Sequence, residues 1–221
     1  MLQNFQILVV SYPILPLHRL VLNFVNNSND VISEAIVLFQ KNNVAQLDET
    51  CIAWKVIKNC GLGWSHPFSY PLDVEIAASD SYGNMTPMYS ASEGQKWSLV
   101  LNASGDELVL SDTPAANPIQ IELQNDLEQG AIDARIYRDG KLLGIRNALV
   151  PAQKTVFQYR PIIMIGVIDN IEEGSIINPT VLSSHFTEVS LLGFTKADLV
   201  MTGGGIGPKA QPFQFHLFPK G

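Results

Sequence analysis

The sequence predicts an all-β fold: an antiparallel β-sandwich, jelly-roll-like or Greek key, of about a dozen strands with few or no helices. Three observations predict it. Apolar residues recur at every second position, turn-forming residues fall where hairpins need them, and no segment carries a sustained apolar stripe at helical spacing.

The elements follow in order along the chain. Ile7 to Leu17 is mostly apolar but broken by Pro13 and Pro16, and it is too short to span a bilayer; it reads as a buried strand. Ile52, Trp54 and Val56 sit opposite Lys55, and Val74, Ile76 and Ala78 alternate against Asp73 and Glu75. Each set places its apolar members on one face of an extended chain. The run Asp80-Ser81-Tyr82-Gly83-Asn84 ends the second of these strands.

Trp97, Leu99 and Leu101 alternate across Ser98, and Ser104-Gly105-Asp106 turns the chain toward Leu108–Leu110. Ile119, Ile121 and Leu123 alternate with Gln120 and Glu122. Asp139-Gly140 separates Ala134–Tyr137 from Leu142–Ile145, and Asp-Gly supplies the positive φ values of a type I′ hairpin turn. In Thr155–Ile168, Phe157 and Tyr159 alternate with Gln158 and Arg160, but Ile162 to Ile165 is continuously apolar, as in a central strand covered on both faces. Phe213, Phe215 and Leu217 alternate against Gln214 and His216. Short helical turns are expected only near Asn43–Glu49 and Gln124–Gln129.

The 221 residues read as a single β-sandwich domain, 1–221, because all-β units often reach this length undivided. No repeat or linker interrupts them, and Asn170–Pro179 reads as an ordinary loop. Hydrophobic residues make up 46%, which suffices for a sizeable core, and charged residues only 16%, against an average near ~25%. A surface dressed in Asn, Gln, Ser and Thr suits packing against a neighbour, since fewer charges must be desolvated. The formal net charge of −7 repels a phosphate backbone, so a nucleic-acid partner is not expected. No membrane span is expected either. The location implied is cytoplasmic, with a secreted one left open; chance alone supplies sequons at Asn26, Asn84 and Asn102.

Candidate chemistry is sparse. Gly203-Gly204-Gly205-Ile206-Gly207-Pro208-Lys209 lacks the Walker spacing and is followed by a strand, so it reads as a sharp turn without a ligand. Gly63-Trp64-Ser65-His66-Pro67 approaches a nucleophile elbow, but proline replaces the last glycine. Cys60 and His66 could form a thiolate–imidazole pair. Cys51 and Cys60 read as reduced, buried thiols, though a bridge between them stays open. The four histidines, His18, His66, His185 and His216, show no ligand spacing. The carboxylates Asp169, Glu172, Glu173 and Asp80 read as solvated loop charges. No metal and no cofactor are implied.

These readings lead to a non-catalytic β-sandwich acting through self-association as a homo-oligomer or through a protein partner. One alternative is a carbohydrate or small-ligand binding module, with Trp64, His66, Phe68 and Tyr70 in an ordered loop as its binding residues. Another is a hydrolase whose site is assembled from separate strands.

Overall fold

The computed structural model describes residues 19–29, 35–44, 49–177 and 186–220, and these fold as β structure throughout. Among them seventeen strands form four sheets. The first contains β17 (Gln211–Pro219), β16 (Lys196–Gly204), β1 (Arg19–Asn26) and β5 (Ser65–Pro71), in that order. The second contains β13 (Lys154–Phe157), β10 (Ile121–Asn125), β8 (Lys96–Asn102) and β9 (Gly105–Leu110). The third runs β3 (Glu49–Cys51), β12 (Lys141–Leu149), β11 (Ile132–Arg138), β6 (Val74–Asp80) and β7 (Tyr89–Ala91). The fourth runs β15 (Phe186–Ser190), β14 (Ile162–Ile168), β2 (Ala35–Phe39) and β4 (Lys55–Ile57).

The all-β, sandwich-like class expected from the two-residue period is the class observed, and the sheets are mostly antiparallel. Among the described strands two pairings are parallel: β1 with β16, and β8 with β10. Both join strands separated by a long crossover, which parallel pairing requires. The expected hairpins form. Asp139 and Gly140 have φ of 57° and 67° between β11 and β12, and Gly105, at φ 121°, begins β9 after β8.

One apolar cluster draws on all four sheets. Leu22 and Phe24 enter it from β1, Leu99 and Leu123 from the second sheet, Ile76 and Ile136 from the third, and Leu38 and Ile163 from the fourth. Each such side chain, fully removed from water, contributes roughly 1.5–3 kcal/mol before entropy is counted. A smaller cluster of Ala35, Val37, Phe39, Ala53, Ile171 and Ile177 covers the other face of β2, with Met164 of β14 packed against it. The continuous apolar run Ile162–Ile165 thus belongs to an interior strand between β15 and β2 with packing on both faces.

Several local expectations are corrected. Ile52, Trp54 and Val56 do not share one strand, because the chain leaves the third sheet after β3 and joins the fourth at β4. Between them Ala53 exchanges backbone hydrogen bonds with Gly174 and Ser175. Leu101 and Ile119 run beyond the core and are exposed. Glu122, expected to face water, is 3% exposed, where it accepts hydrogen bonds from Lys154 Nζ at 2.9 Å and the Ala116 amide at 3.0 Å. No helix forms at Gln124–Gln129: buried Asn125 captures the Leu127 amide with its Oδ1, and its Nδ2 donates to the carbonyls of Gly130 and Leu149. Of Asn43–Glu49, residues 45–48 lie outside the described residues, as does Ile7–Leu17. The helical element present among the described residues is a 3-10 turn at Gly207–Lys209. Cys51 and Cys60 are not bridged by a disulfide, and both are half-buried rather than buried. Among the described residues no helix is long and apolar enough to cross a membrane.

Candidate functional site

The segment expected to be a ligand-binding loop is largely an edge strand. β5 pairs antiparallel with β1, with Pro67 opposite Asn23 and Pro71 opposite Arg19. Proline has no amide to offer a further strand, so this edge is blunted. The opposite edge of the same sheet, β17, carries Pro212 and Pro219. His66, Phe68 and Tyr70 share a face by the two-residue period, and that face enters the core only partway along. Trp64 (67%) and His66 are exposed, whereas Phe68 (9%) and Tyr70 (0%) are buried. The four residues therefore do not converge on one ligand surface.

The Cys60–His66 pair also departs from what nucleophilic chemistry needs. Burial pushes the Cys60 thiol up, away from thiolate formation at neutral pH. Burial, then Lys55 and Lys141, push His66 down against the opposing field of Glu173. Glu173 itself accepts hydrogen bonds from Lys141 Nζ at 2.8 Å and the Val56 amide at 3.2 Å. That clamp fastens β4 and β12 to the turn after Ile171. His216 lies exposed on β17, while His18 and His185 fall outside the described residues. Among the described residues no group of three or more His, Cys, Asp or Glu side chains could hold a metal ion.

Tyr70 leads to a different site. Its ring lies against the guanidinium of Arg138, 4.5 Å from ring centroid to Cζ, and edge-on to Trp54 at 5.7 Å. Arg138 Nη1 donates to the Tyr70 hydroxyl and to Gln40 Oε1. Gln40 in turn donates from Nε2 to the carbonyls of Arg160 (2.8 Å) and Ile162 (2.7 Å), and Trp54 Nε1 donates to the Arg138 carbonyl at 3.0 Å. Three sheets meet at this network, since Tyr70 belongs to the first, Arg138 to the third and Gln40 follows β2 of the fourth.

The network forms part of the lining of a cleft of about 540 Å³. Leu72, Ile119, Ile121, Ile136 and Phe157 make it apolar, Arg138 and Tyr70 supply polar groups within, and Asp73 and Glu93 line it as well. Clefts that hold small ligands span ~300–1,000 Å³ and share this mixture of apolar wall and few polar groups. Burial pushes the Arg138 guanidinium down from its ordinary value, offset by Tyr70, Tyr159 and Asp73. Burial pushes Tyr70 up, against the pull of Arg138 and Gln40. The Arg138 charge beside Tyr70 costs several kcal/mol to bury unless well partnered.

Arg138 Nε is buried and has no hydrogen-bond partner, one of two such side-chain atoms among the described residues; the other is Trp97 Nε1. Buried donors are nearly always satisfied, and one left bare costs roughly 1–3 kcal/mol. Sequence reading missed Arg138 because a cation beside Asp139-Gly140 looks like a solvated turn residue. The signal was present: Arg138 has the same parity as Ile132, Ala134 and Ile136, the buried face of β11. No protein-family model, curated protein or solved structure matches this chain.

Proposed function

We propose that this chain is a non-catalytic, cytoplasmic binding protein whose cleft beside Tyr70 and Arg138 takes a small molecule with an apolar body. The observation that carries the reading is the placement of exposed apolar side chains. Leu72 (42%) and Ile119 (46%) stay accessible inside a concavity, next to buried Ile121, Ile136 and Phe157. Apolar surface held open in a concave site gains by covering it with a ligand. This keeps the small-ligand reading of the sequence but moves it inward from Trp64 to Tyr70.

The test is a fluorescence titration with N-phenyl-1-naphthylamine, a neutral aromatic probe that brightens on leaving water. Saturable binding at one site per chain, abolished by Ile119→Asp without a fall in melting temperature, supports the reading. Absence of saturable binding, or binding indifferent to Ile119→Asp, overturns it.

Self-association is a second reading, favoured by β9. This strand ends the second sheet without the prolines that blunt β5 and β17, and Leu110 on it is 51% exposed. Light scattering over a wide concentration range tests it: growth in mass that Val109→Pro suppresses is the expected result, and a constant monomer mass refutes it.

A further inference from the structure

We infer that the cleft's ligand is a monocarboxylate with an apolar tail, and that Arg138 is the residue that selects its head group. The inference rests on the binding reading above and adds the chemistry of the ligand. Among the described residues Arg138 is the one cationic side chain in the cleft lining, and it is 3% exposed. Its Nη1 is occupied by two neutral acceptors, Gln40 Oε1 and the Tyr70 hydroxyl, which cancel none of its charge. Its Nε–H, sealed from water, has no acceptor among the described residues. A guanidinium is built to grip a carboxylate, whose paired oxygens match its fork of donors. A carboxylate reaching the guanidinium from the cleft supplies paired acceptors for its fork of donors and a negative charge in addition to the field of Asp73.

The rest of the lining narrows the class. Asp73 and Glu93 stand in the same cleft, and the chain as a whole carries a formal charge of −7. A dianion such as a phosphate monoester would add two negative charges beside these carboxylates, with one guanidinium to offset them, whereas a monocarboxylate adds one. Ile119, Ile121, Phe157 and Leu72 offer the ligand's other end a wall with no hydrogen-bonding side chain. Head and tail requirements together describe an amphipathic monocarboxylate.

The experiment displaces bound N-phenyl-1-naphthylamine with decanoate and, in parallel, with decanol, which has the same tail and no charge. Charge-assisted hydrogen bonds to a buried cation predict at least about a tenfold preference for decanoate at neutral pH. Arg138→Met is expected to abolish that preference. A measurement on the unsubstituted protein stands beside the variant: the Arg138 Nε–H resonance should shift on adding decanoate and stay put with decanol. Equal displacement by the two compounds, a preference that survives Arg138→Met, or an unmoved Nε–H signal overturns the inference while leaving cleft binding intact. Failure of the probe itself to bind overturns the underlying reading instead.

Discussion

Replacing Gly203 with alanine tests how the first sheet is closed. Gly203 has φ 86°, and a Cβ built on it falls 2.1 Å from the Pro212 carbonyl oxygen and 3.2 Å from Phe213 Cα. Carbon and oxygen in this kind of contact stay roughly 3.3 Å apart, so β17 must retreat by about 1 Å. The hydrogen bond from the Asn29 amide to the Gly203 carbonyl and the pairing of Gly204 with Gln211 lie in the path of that retreat. Gly207 provides the control. It sits in the same loop at φ 70°, and a methyl placed there would meet nothing within 4 Å. The left-handed backbone costs an alanine about 1–2 kcal/mol at either position, less roughly 0.4–1 kcal/mol for a stiffer unfolded chain. Gly207→Ala should therefore lose about 1 kcal/mol. Gly203→Ala adds overpacking of about 1–3 kcal/mol and weakened strand bonds, for a loss near 3 kcal/mol or more. In a chain of this length each kcal/mol lowers the melting temperature by roughly 2–4 °C. Urea and thermal denaturation should separate the two variants clearly. Equal losses would mean that the Gly203–Pro212 approach is not what the loop depends on.

Three further perturbations probe other parts of the molecule. Lys154→Met strands the buried Glu122 carboxylate and should cost about 1–3 kcal/mol at pH 7 by urea denaturation. Burial alone would raise the Glu122 pKa, but the bonds from Lys154 and Ala116 outweigh it and hold the folded value low. Stability from such a group is complete above its unfolded pKa, roughly 4.3, and fades as pH falls through the folded value, so the gap between protein and variant should close in acid; a gap independent of pH refutes this. Gly144→Ala would set a methyl 2.1 Å from the Tyr159 hydroxyl, displacing a cleft side chain; probe affinity should fall several-fold and recover when Tyr159→Phe is added. Additive losses in the double variant would disprove that coupling. Pro67→Thr with Pro71→Thr restores amides to an edge strand and should raise aggregation in static light scattering, whereas unchanged scattering would remove the edge-guarding role given to these prolines.

The strands were legible because their pattern is local. Val74, Ile76 and Ala78 reach the core as the alternation requires, and Asp139-Gly140 makes its turn because two adjacent residues suffice to specify one. What was not legible depends on partners distant in sequence. Trp54 leaves its strand because residues 174–177 pair with the chain there, and Glu122 turns inward because Lys154 and Ala116 are waiting. The parallel pairing of β1 with β16 joins segments more than a hundred residues apart, and no local period encodes it. The site shows the same division. Tyr70 was singled out, but as part of a loop with Trp64, because the run of aromatics is visible in sequence and the burial boundary within β5 is not.

Whether Arg138 serves the architecture or the cleft can be argued from what remains when it is removed. Arg138→Met deletes the donor to Gln40 Oε1, which is buried and would otherwise be left bare. The Tyr70 hydroxyl and Gln40 Oε1 accept from the same Nη1, however, so once it is gone the hydroxyl is placed to turn its own proton toward Oε1. Gln40 Nε2 keeps both its carbonyl acceptors, and Trp54 keeps the backbone carbonyl at position 138. Methionine fills a similar volume and removes both the desolvated charge and the orphaned Nε–H. Apolar replacement of buried ionic groups is often neutral or stabilising. The expected melting temperature of Arg138→Met is therefore equal to or above that of the unsubstituted protein. A loss of several kcal/mol would instead make Arg138 a keystone of the three-sheet junction. A variant that folds as well and no longer distinguishes decanoate from decanol would show a core carrying a costly charge for the sake of what binds beside it.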